Sequence, residues 1–367
     1  MTKYCIVSNY ATHYRQPVFT LIDSEWDCDW YFSKNKTDIP EMDLGLLKNV
    51  TLMDDRHPAG LATWQNGVGR LIRDPRYTRY LMLGEPATLS TWWALVQRRL
   101  FRRDKRIYLW THGWYGREGF AKKWIKRLFF GMADHVFTYG EYARGQASLQ
   151  GFDSSKITPI HNSLDHARQL RIREALTPEG IYSKHFGNDR PTLIFIGRLT
   201  PVKRLDMILD AIDILKKQGL DYNLTIVGTG EKHRELEEKT QRLGLADRVW
   251  FYGPCFDEER NARLIYEGDL CVSPGNVGLT SIHSMTFGTP VLSHDDFKWQ
   301  MPEFEAIRPG KTGAFFRHGD TEALARGINE WFATHPDRET VREECFREID
   351  SNWTPEYQIE VLRKVFD

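Results

Sequence analysis

Twice along this 367-residue chain, short apolar runs alternate with longer stretches of helical spacing. That alternation constrains the fold more than any single motif. A strand buried on both faces reads as a near-continuous apolar run, and strand–helix–strand connections make neighbouring strands parallel. In the front half the apolar runs fall at 3–8, 30–33, 80–84, 106–111, 135–139 and 157–161, with helical stretches at 87–101 and 120–133. In the back half strands are predicted at 191–197, 224–228, 249–252, 269–273 and 289–293, and helices at 204–218, 231–243 and 280–287. Leu205, Ile208, Leu209, Ile212 and Leu215 give the first of these helices its apolar stripe. The pattern predicts an α/β protein of two doubly wound, Rossmann-like domains, over 1–165 and 191–352. A polar linker at 166–190 joins them, with Pro178, Gly180 and Gly187 as its turn formers. Ligands of such folds bind beyond the carboxyl ends of the strands, so the site is expected in a cleft that the two sheets face.

Net charge is zero, yet residues 1–165 carry 23 Lys and Arg against 17 Asp and Glu, and the remainder reverses the balance. A basic front and an acidic back suggest different partners for the two bodies. The five cysteines (Cys5, Cys28, Cys255, Cys271 and Cys345) are odd in number and lack CxxC spacing. That argues against a disulfide framework or a zinc site and for a reducing, cytoplasmic setting. The adjacent pair Asp295 and Asp296 has no further acidic partners nearby, so no metal site is expected. No apolar stretch approaches the about 20 residues that span a bilayer, and residues 1–8 turn polar too soon for a signal peptide.

Four segments carry candidate chemistry. IGRLTPVK over 196–203 follows a buried strand and opens a helix, with Gly197 allowing close approach. Arg198 and Lys203, five residues apart, can converge on one diphosphate; taken alone they are equally two surface cations. Asn276, Val277, Gly278, Leu279 and Thr280 lead into a helix whose first backbone N–H groups would suit an anion, or serve only as an N-cap. THGWYGRE over 111–118 places His112 and Arg117 on a glycine-flanked loop past a strand. NYATHYR over 9–15 puts His13, Tyr14 and Arg15 past the first strand, either as an acceptor contact or as plain loop.

The order of these segments resembles glycosyltransferase family four, with its two-domain GT-B architecture. IGRL with Lys203 is similar to the family's donor-phosphate motif, IVGTG over 226–230 to a glycine-rich strand end, and VWFYG over 249–253 to the next strand. SMTFGTPV over 284–291, Pro302 and Glu303, GKTG over 310–313 and GDTEAL over 319–324 follow in family order, after IHNSLD over 160–165. The resemblance implies retaining transfer of a sugar from a nucleoside-diphosphate sugar, with no metal or other cofactor required. It implies Arg198, Lys203 and His112 as catalytic residues, His112 facing the donor sugar. Gly197, Gly230, Asn276 to Thr280 and His283 would bind the nucleotide. A last helix over 353–367, with an apolar stripe of Ile359, Leu362 and Phe366, would return to the first domain. One departure stands out. The family's paired glutamates, on donor sugar and ribose, match Gly275 and His283.

Residues 95–130 hold eleven Lys and Arg, with Trp92, Trp93, Phe101, Trp124, Phe129 and Phe130 among or beside them. Basic residues with aromatics on helices suit an anionic membrane surface, or are a solvated helix face over an ordinary core. No nucleic-acid recognition motif accompanies them. The leading expectation is a glycosyltransferase acting on a glycan or lipid-linked saccharide in bacterial surface polysaccharide synthesis. A non-catalytic nucleotide-sugar or glycan binder and a nucleotide-sugar epimerase remain the alternatives.

Overall fold

The computed structural model describes residues 3–35, 39–58, 60 and 62–366. It divides into two compact units, Met1–Asp165 with Pro355–Asp367, and His166–Thr354.

In the first unit the strands are β1 (Lys3–Ser8), β2 (Cys28–Ser33), β3 (Val50–Met53), β4 (Tyr77–Leu83), β5 (Arg106–Thr111), β6 (His135–Thr138) and β7 (Ile157–Pro159). They form one parallel sheet in the order β3-β2-β1-β4-β5-β6-β7. Four of the helices that cover it are α1 (Gln16–Glu25), α2 (Leu89–Phe101), α3 (Phe120–Gly131) and α4 (Glu141–Leu149). Pro17 opens α1, where its missing N–H costs nothing. The C-terminal helix Pro355–Phe366 also covers this sheet: Phe366 stacks on Tyr4 at 5.1 Å and lies 4.8 Å from the Tyr108 ring, with Ile359 and Leu362 buried beside it.

The second unit has β8 (Thr192–Ile196), β9 (Asn223–Val227), β10 (Val249–Gly253), β11 (Leu270–Ser273), β12 (Val291–His294) and β13 (Gly313–Phe316). Their order is β10-β9-β8-β11-β12-β13, again all parallel. Every residue of β8, β9, β11 and β12 is buried, as the unbroken apolar runs require. The helices are α5 (His166–Glu174), α6 (Ile181–Phe186), α7 (Asp206–Lys217), α8 (His233–Arg242), α9 (Glu258–Glu267), α10 (Leu279–Thr286), α11 (Thr321–Thr334) and α12 (Arg338–Asn352). The predicted stripe of α7 is buried in full, from Leu205 to Leu215.

Residues 166–190 are not the polar linker expected from their turn formers. They carry α5 and α6 and belong to the second unit, which runs to Thr354 rather than from 191 to 352. Side-chain anchoring explains the difference. His166 and Arg173 both pair with Asp350, the Tyr182 hydroxyl donates to the Leu264 carbonyl, and Glu267 accepts from the amides of Glu179 and Ile181. These contacts are long-range, so local composition hides them.

The outer face of α3 is unusual for a surface helix. Phe129 and Phe130 are buried, whereas Phe120, Trp124, Ile125 and Leu128 are exposed among Lys122, Lys123 and Arg127. Leu100 and Phe101, ending α2, are exposed as well. No helix among the described residues is long and apolar enough to cross a membrane.

Truncating Phe366 should leave a cavity against Tyr4, Trp26 and Tyr108. Phe366→Ala is expected to cost about 3–5 kcal/mol, a fall of roughly 10 °C in the first unit's melting by calorimetry. Phe366→Leu should recover most of it.

Candidate functional site

The strand order of the second sheet reverses between β8 and β11, so the loops leaving these two strands flank the topological switch point, where open α/β sheets bind ligands. The loop after β8 is held by backbone bonds from Gly197 N to Val227 O and from Leu199 N to Thr229 O, with Lys232 N donating back to Leu199 O. Leu199 is fully buried. Arg198, between these anchors, is exposed, and its guanidinium makes no hydrogen bond or ion pair among the described residues. The turn Pro201–Lys203 then brings Lys203 inward, and its ammonium donates to the Asn276 carbonyl at 2.6 Å. Burial pushes Lys203 down to about 8, with the Glu303 carboxylate pulling it up and Arg198 adding to the fall.

The loop after β11 meets this turn. Gly275 N donates to Lys203 O at 3.0 Å. A Cβ at position 275 would stand 1.9 Å from the Val202 carbonyl oxygen and 2.7 Å from the Lys203 backbone. No side chain fits there, least of all a glutamate. The Asn276 side-chain oxygen is buried without a hydrogen-bond partner. Gly278 gives α10 no side-chain cap, so the N–H groups of Leu279 and Thr280 stay available at the positive end of the helix, while that of Ser281 donates to the Gly278 carbonyl. Thr280 Oγ1 donates to the Ile196 carbonyl at 3.0 Å, fastening this helix start to the end of β8.

At three of the expected positions other contacts are already in place. Val277 is fully buried and its amide donates to Gln300 Oε1 at 2.7 Å, so it has no N–H left for an anion. Gly230 packs on backbone: a Cβ there would lie 2.5 Å from Leu199 O, so this glycine supports the Arg198 loop. His283 is already engaged, its Nε2 lying 3.1 Å from Glu258 Oε1 at the start of α9. Burial works to raise the Glu258 carboxyl, but His283, Gln169 and Arg168 outweigh it and hold it below the usual range. Sequence reasoning missed Glu258 and Gln300 because both reach their partners from elements distant in sequence.

In the first unit, His112 follows β5. Its ring lies 4.8 Å from that of Tyr139 and 6.3 Å from that of Tyr115, nearly parallel to the latter. Burial, with Arg15 and Lys126 nearby, pushes His112 down to about 4, so it is neutral at pH 7. Its Nδ1 is buried without a hydrogen-bond partner. Arg15 donates to the Tyr139 hydroxyl and lies over the rings of Trp110 and Tyr139 at 5.5 and 5.7 Å. The structure therefore joins Arg15 to His112 through Tyr139, an aromatic just past a buried strand that the sequence reading passed over. His13 is exposed, with Nδ1 3.3 Å from the Pro40 carbonyl, and Tyr14 meets it edge-on at 5.6 Å. Arg117 lies over Tyr115 at 5.0 Å. Asp295 accepts from the His318 amide and Asp296 pairs with Lys298 and His318; no group of three metal-ligating residues occurs among the described residues.

Residues 181–346 match a family model described as "Glycosyl transferases group 1". The chain is similar to EpsD of Bacillus subtilis (22% identical over 248 residues, 65% of this chain and 63% of that protein). It is also similar to the D-inositol 3-phosphate glycosyltransferase of Streptomyces scabiei (31% over 201 residues, 50% of this chain and 42% of that protein). It thus spans less than two thirds of the length of these curated relatives. Among solved structures it resembles the lipopolysaccharide outer core galactosyltransferase WaaB (TM-score 0.75, 14% identity, 100% of this chain and 99% of that one). Anabaena HepE, solved in complex with UDP, matches at TM-score 0.73 and 14% identity over 99% of each chain. At these identities the structural likeness shows the GT-B fold.

Gly275→Ala must push the 202–203 backbone away. The expected cost is about 1–3 kcal/mol, a fall of roughly 3–10 °C in the second unit's melting. A thermal scan of this variant beside Gly278→Ala, where a Cβ would make only ordinary contact with Met301 at 3.8 Å, separates crowding from a general effect.

Proposed function

From the premise that this chain is glycosyltransferase family-four-like with the GT-B fold, we propose that it is a retaining, metal-independent glycosyltransferase. The donor is a nucleoside-diphosphate sugar and the acceptor a glycan or lipid-linked saccharide of a surface polysaccharide. The observation that carries this reading is the uncapped start of α10 at the switch point, with the unpaired Arg198 and the inward Lys203 on the loop beside it.

As the bond from the sugar C1 to the diphosphate breaks, negative charge grows on the leaving oxygen. Arg198, Lys203 and the N–H groups of Leu279 and Thr280 stabilise it, because donors fixed in advance need no reorganisation during the reaction. The acceptor oxygen bonds to C1, and its proton leaves toward the departing diphosphate. Gly197 permits close approach of the phosphates, and Asn276, with a buried oxygen still unpartnered, offers a hydrogen-bond acceptor to the donor. Neutral His112 can exchange a hydrogen bond with a sugar hydroxyl without adding charge. Arg15, Tyr14, His13 and Arg117 are assigned to the acceptor.

The exposed apolar residues of α3 between Lys122, Lys123 and Arg127 suit a lipid surface bearing negative charge, which fits a lipid-linked acceptor. Vesicles rich in phosphatidylglycerol should co-sediment the protein at low salt and release it at 0.5 M salt, where the Debye length is roughly a third of its value at 0.05 M. Trp124→Glu should abolish that binding. The same protein ignoring such vesicles at low salt would remove the membrane from the proposal.

One observation favours a second reading, a binder without transfer: position 275 has no room for a carboxylate and His283 is taken up by Glu258. A melting-temperature screen against UDP, GDP, ADP and their hexose derivatives identifies the donor, since a ligand of the native state raises stability. Slow hydrolysis of that donor then separates enzyme from binder, and conversion to its epimer would point to an epimerase. Arg198→Ala and Lys203→Ala are each expected to lower turnover by about 100-fold or more, with Arg198→Ala melting as the wild type does. Turnover near wild type in either would sink the docking assignment. Because Lys203 titrates near 8, nucleotide binding below that pH meets an ammonium already charged. Above it, binding must take up a proton, so affinity should be flat below pH 8 and fall toward about tenfold per unit above. Lys203→Met should lose this alkaline limb in calorimetric titrations.

A further inference from the structure

The His112 ring has no hydrogen bond on Nδ1 to orient it and lies between two tyrosines, so its placement is inherited from the loop that carries it. That loop is costly to order. Gly113 and Gly116 both hold positive φ, at 69° and 82°, and a Cβ at 116 would meet the Tyr142 hydroxyl at 2.8 Å. Something must offset the lost entropy.

Glu118 folds back over the loop. One carboxylate oxygen accepts the Tyr115 amide at 2.7 Å, the other the Gly116 amide at 2.9 Å and the Gln150 side chain at 3.2 Å. Lys126, on α3, donates to the first of these oxygens at 2.7 Å and to the Gly113 carbonyl at 2.6 Å. One ammonium therefore ties the residue next to His112 to the carboxylate that closes the turn. Lys126 is the inward cation of a helix whose Lys122, Lys123 and Arg127 face out. Trp114 anchors the middle of the loop against Phe130 and Phe152. Burial opposes charge on Glu118, but Lys126 and the Tyr115 amide hold it ionised, at about 2. A buried ion pair is an expensive way to pin a loop, since apolar packing would do so with less desolvation; what it supplies in return is a fixed geometry.

We propose that Glu118 and Lys126 are positioning residues that set the His112 ring for reaction, Lys126 through the Gly113 carbonyl and Glu118 through the 115–116 amides. The proposal rests on the assignment of His112 to the site. It makes α3 both the exposed basic–apolar surface of this unit and the support of the His112 loop.

The test uses Glu118→Gln, Lys126→Met and Lys126→Arg in the full chain, alone and combined with His112→Ala. Activity is read as hydrolysis of whichever nucleotide sugar the melting screen selects. Glu118→Gln and Lys126→Met should each lower kcat at least tenfold with KM for the donor within twofold, and Lys126→Arg should recover part of the loss. In the His112→Ala background neither substitution should lower turnover further, because a residue acting through His112 has nothing left to act on. A second readout needs no substrate: with 13C-labelled imidazole rings, the His112 resonance should shift or broaden in Glu118→Gln while the other eleven histidines stay in place. Should Glu118→Gln melt below the assay temperature, Lys126→Met carries the same comparisons. Wild-type kcat and an unmoved His112 signal in these variants, with His112→Ala inactive, would overturn the positioning role and leave the His112 assignment standing. Additive losses in the double variants would reduce the pair to a structural staple. Wild-type turnover in His112→Ala would overturn the assignment itself, and this proposal with it.

Discussion

The bond from the Lys203 ammonium to the Asn276 carbonyl, returned by the bond from the Gly275 amide to the Lys203 carbonyl, holds the second unit's candidate site in one piece. The two loops it joins leave strands β8 and β11, adjacent in the sheet but some 75 residues apart in sequence, and the single 3-10 turn Pro201–Lys203 is the one regular piece in either. Without this double tie the end of the Arg198 loop and the approach to α10 would be set only by their strands. With it, a cation sits beside the start of a helix before any ligand arrives. The tie also explains the bare position 275. Two backbones in direct contact leave no space for a Cβ, so the absence of a carboxylate there follows from packing.

The charges of the molecule sort by partner. Glu258 is engaged by His283 and Gln169, Glu118 by Lys126 and backbone amides, and Asp350 by His166 and Arg173. Arg198 is exposed with no such partner, beside an uncapped helix start. Carboxylates that are already satisfied contribute little to binding an incoming hydroxyl, whereas an unpaired guanidinium can meet an anion at small further desolvation. Anion recognition is thus the chemistry that the groups left free in this unit suit.

Much of the fold was legible because buried parallel strands write themselves as apolar runs: Arg106–Thr111 and Lys3–Ser8 fall at the predicted bounds and the other predicted strands within a few residues, whereas Val50–Met53 and Gly313–Phe316, less completely buried, were not read. Helices α9, α11 and α12 went unread, though each opens on an aspartate that accepts from first-turn amides: Asp257, Asp320 and Asp337. Caps of that kind are visible in sequence, but their helices carry many charges on the outer face and a thin apolar stripe. The candidate site was legible where it depends on local spacing, as for Arg198, Lys203 and the start of α10. It was hidden where one side chain borrows another's bond. Nothing in the residues around Val277 announces that Gln300 takes its amide, and nothing near His283 announces Glu258.

Position 275 weighs differently once the physics of the two halves of a donor is separated. Diphosphate is met by cations and backbone N–H groups, which depend on where the chain runs and on two long side chains. The sugar's hydroxyls are met by individual side chains, whose loss leaves the phosphate clamp untouched. On the proposed reading, a bare position 275 would cost a contact to one class of hydroxyl pattern and leave the stabilisation of the leaving diphosphate in place. The buried, unpartnered oxygen of Asn276 stands one residue on, and it accepts a hydrogen bond as a carboxylate would but without its charge. On the proposed reading, a site built this way would discriminate among sugars by the bonds it lacks, and its electrostatic work on the leaving diphosphate would not depend on that choice.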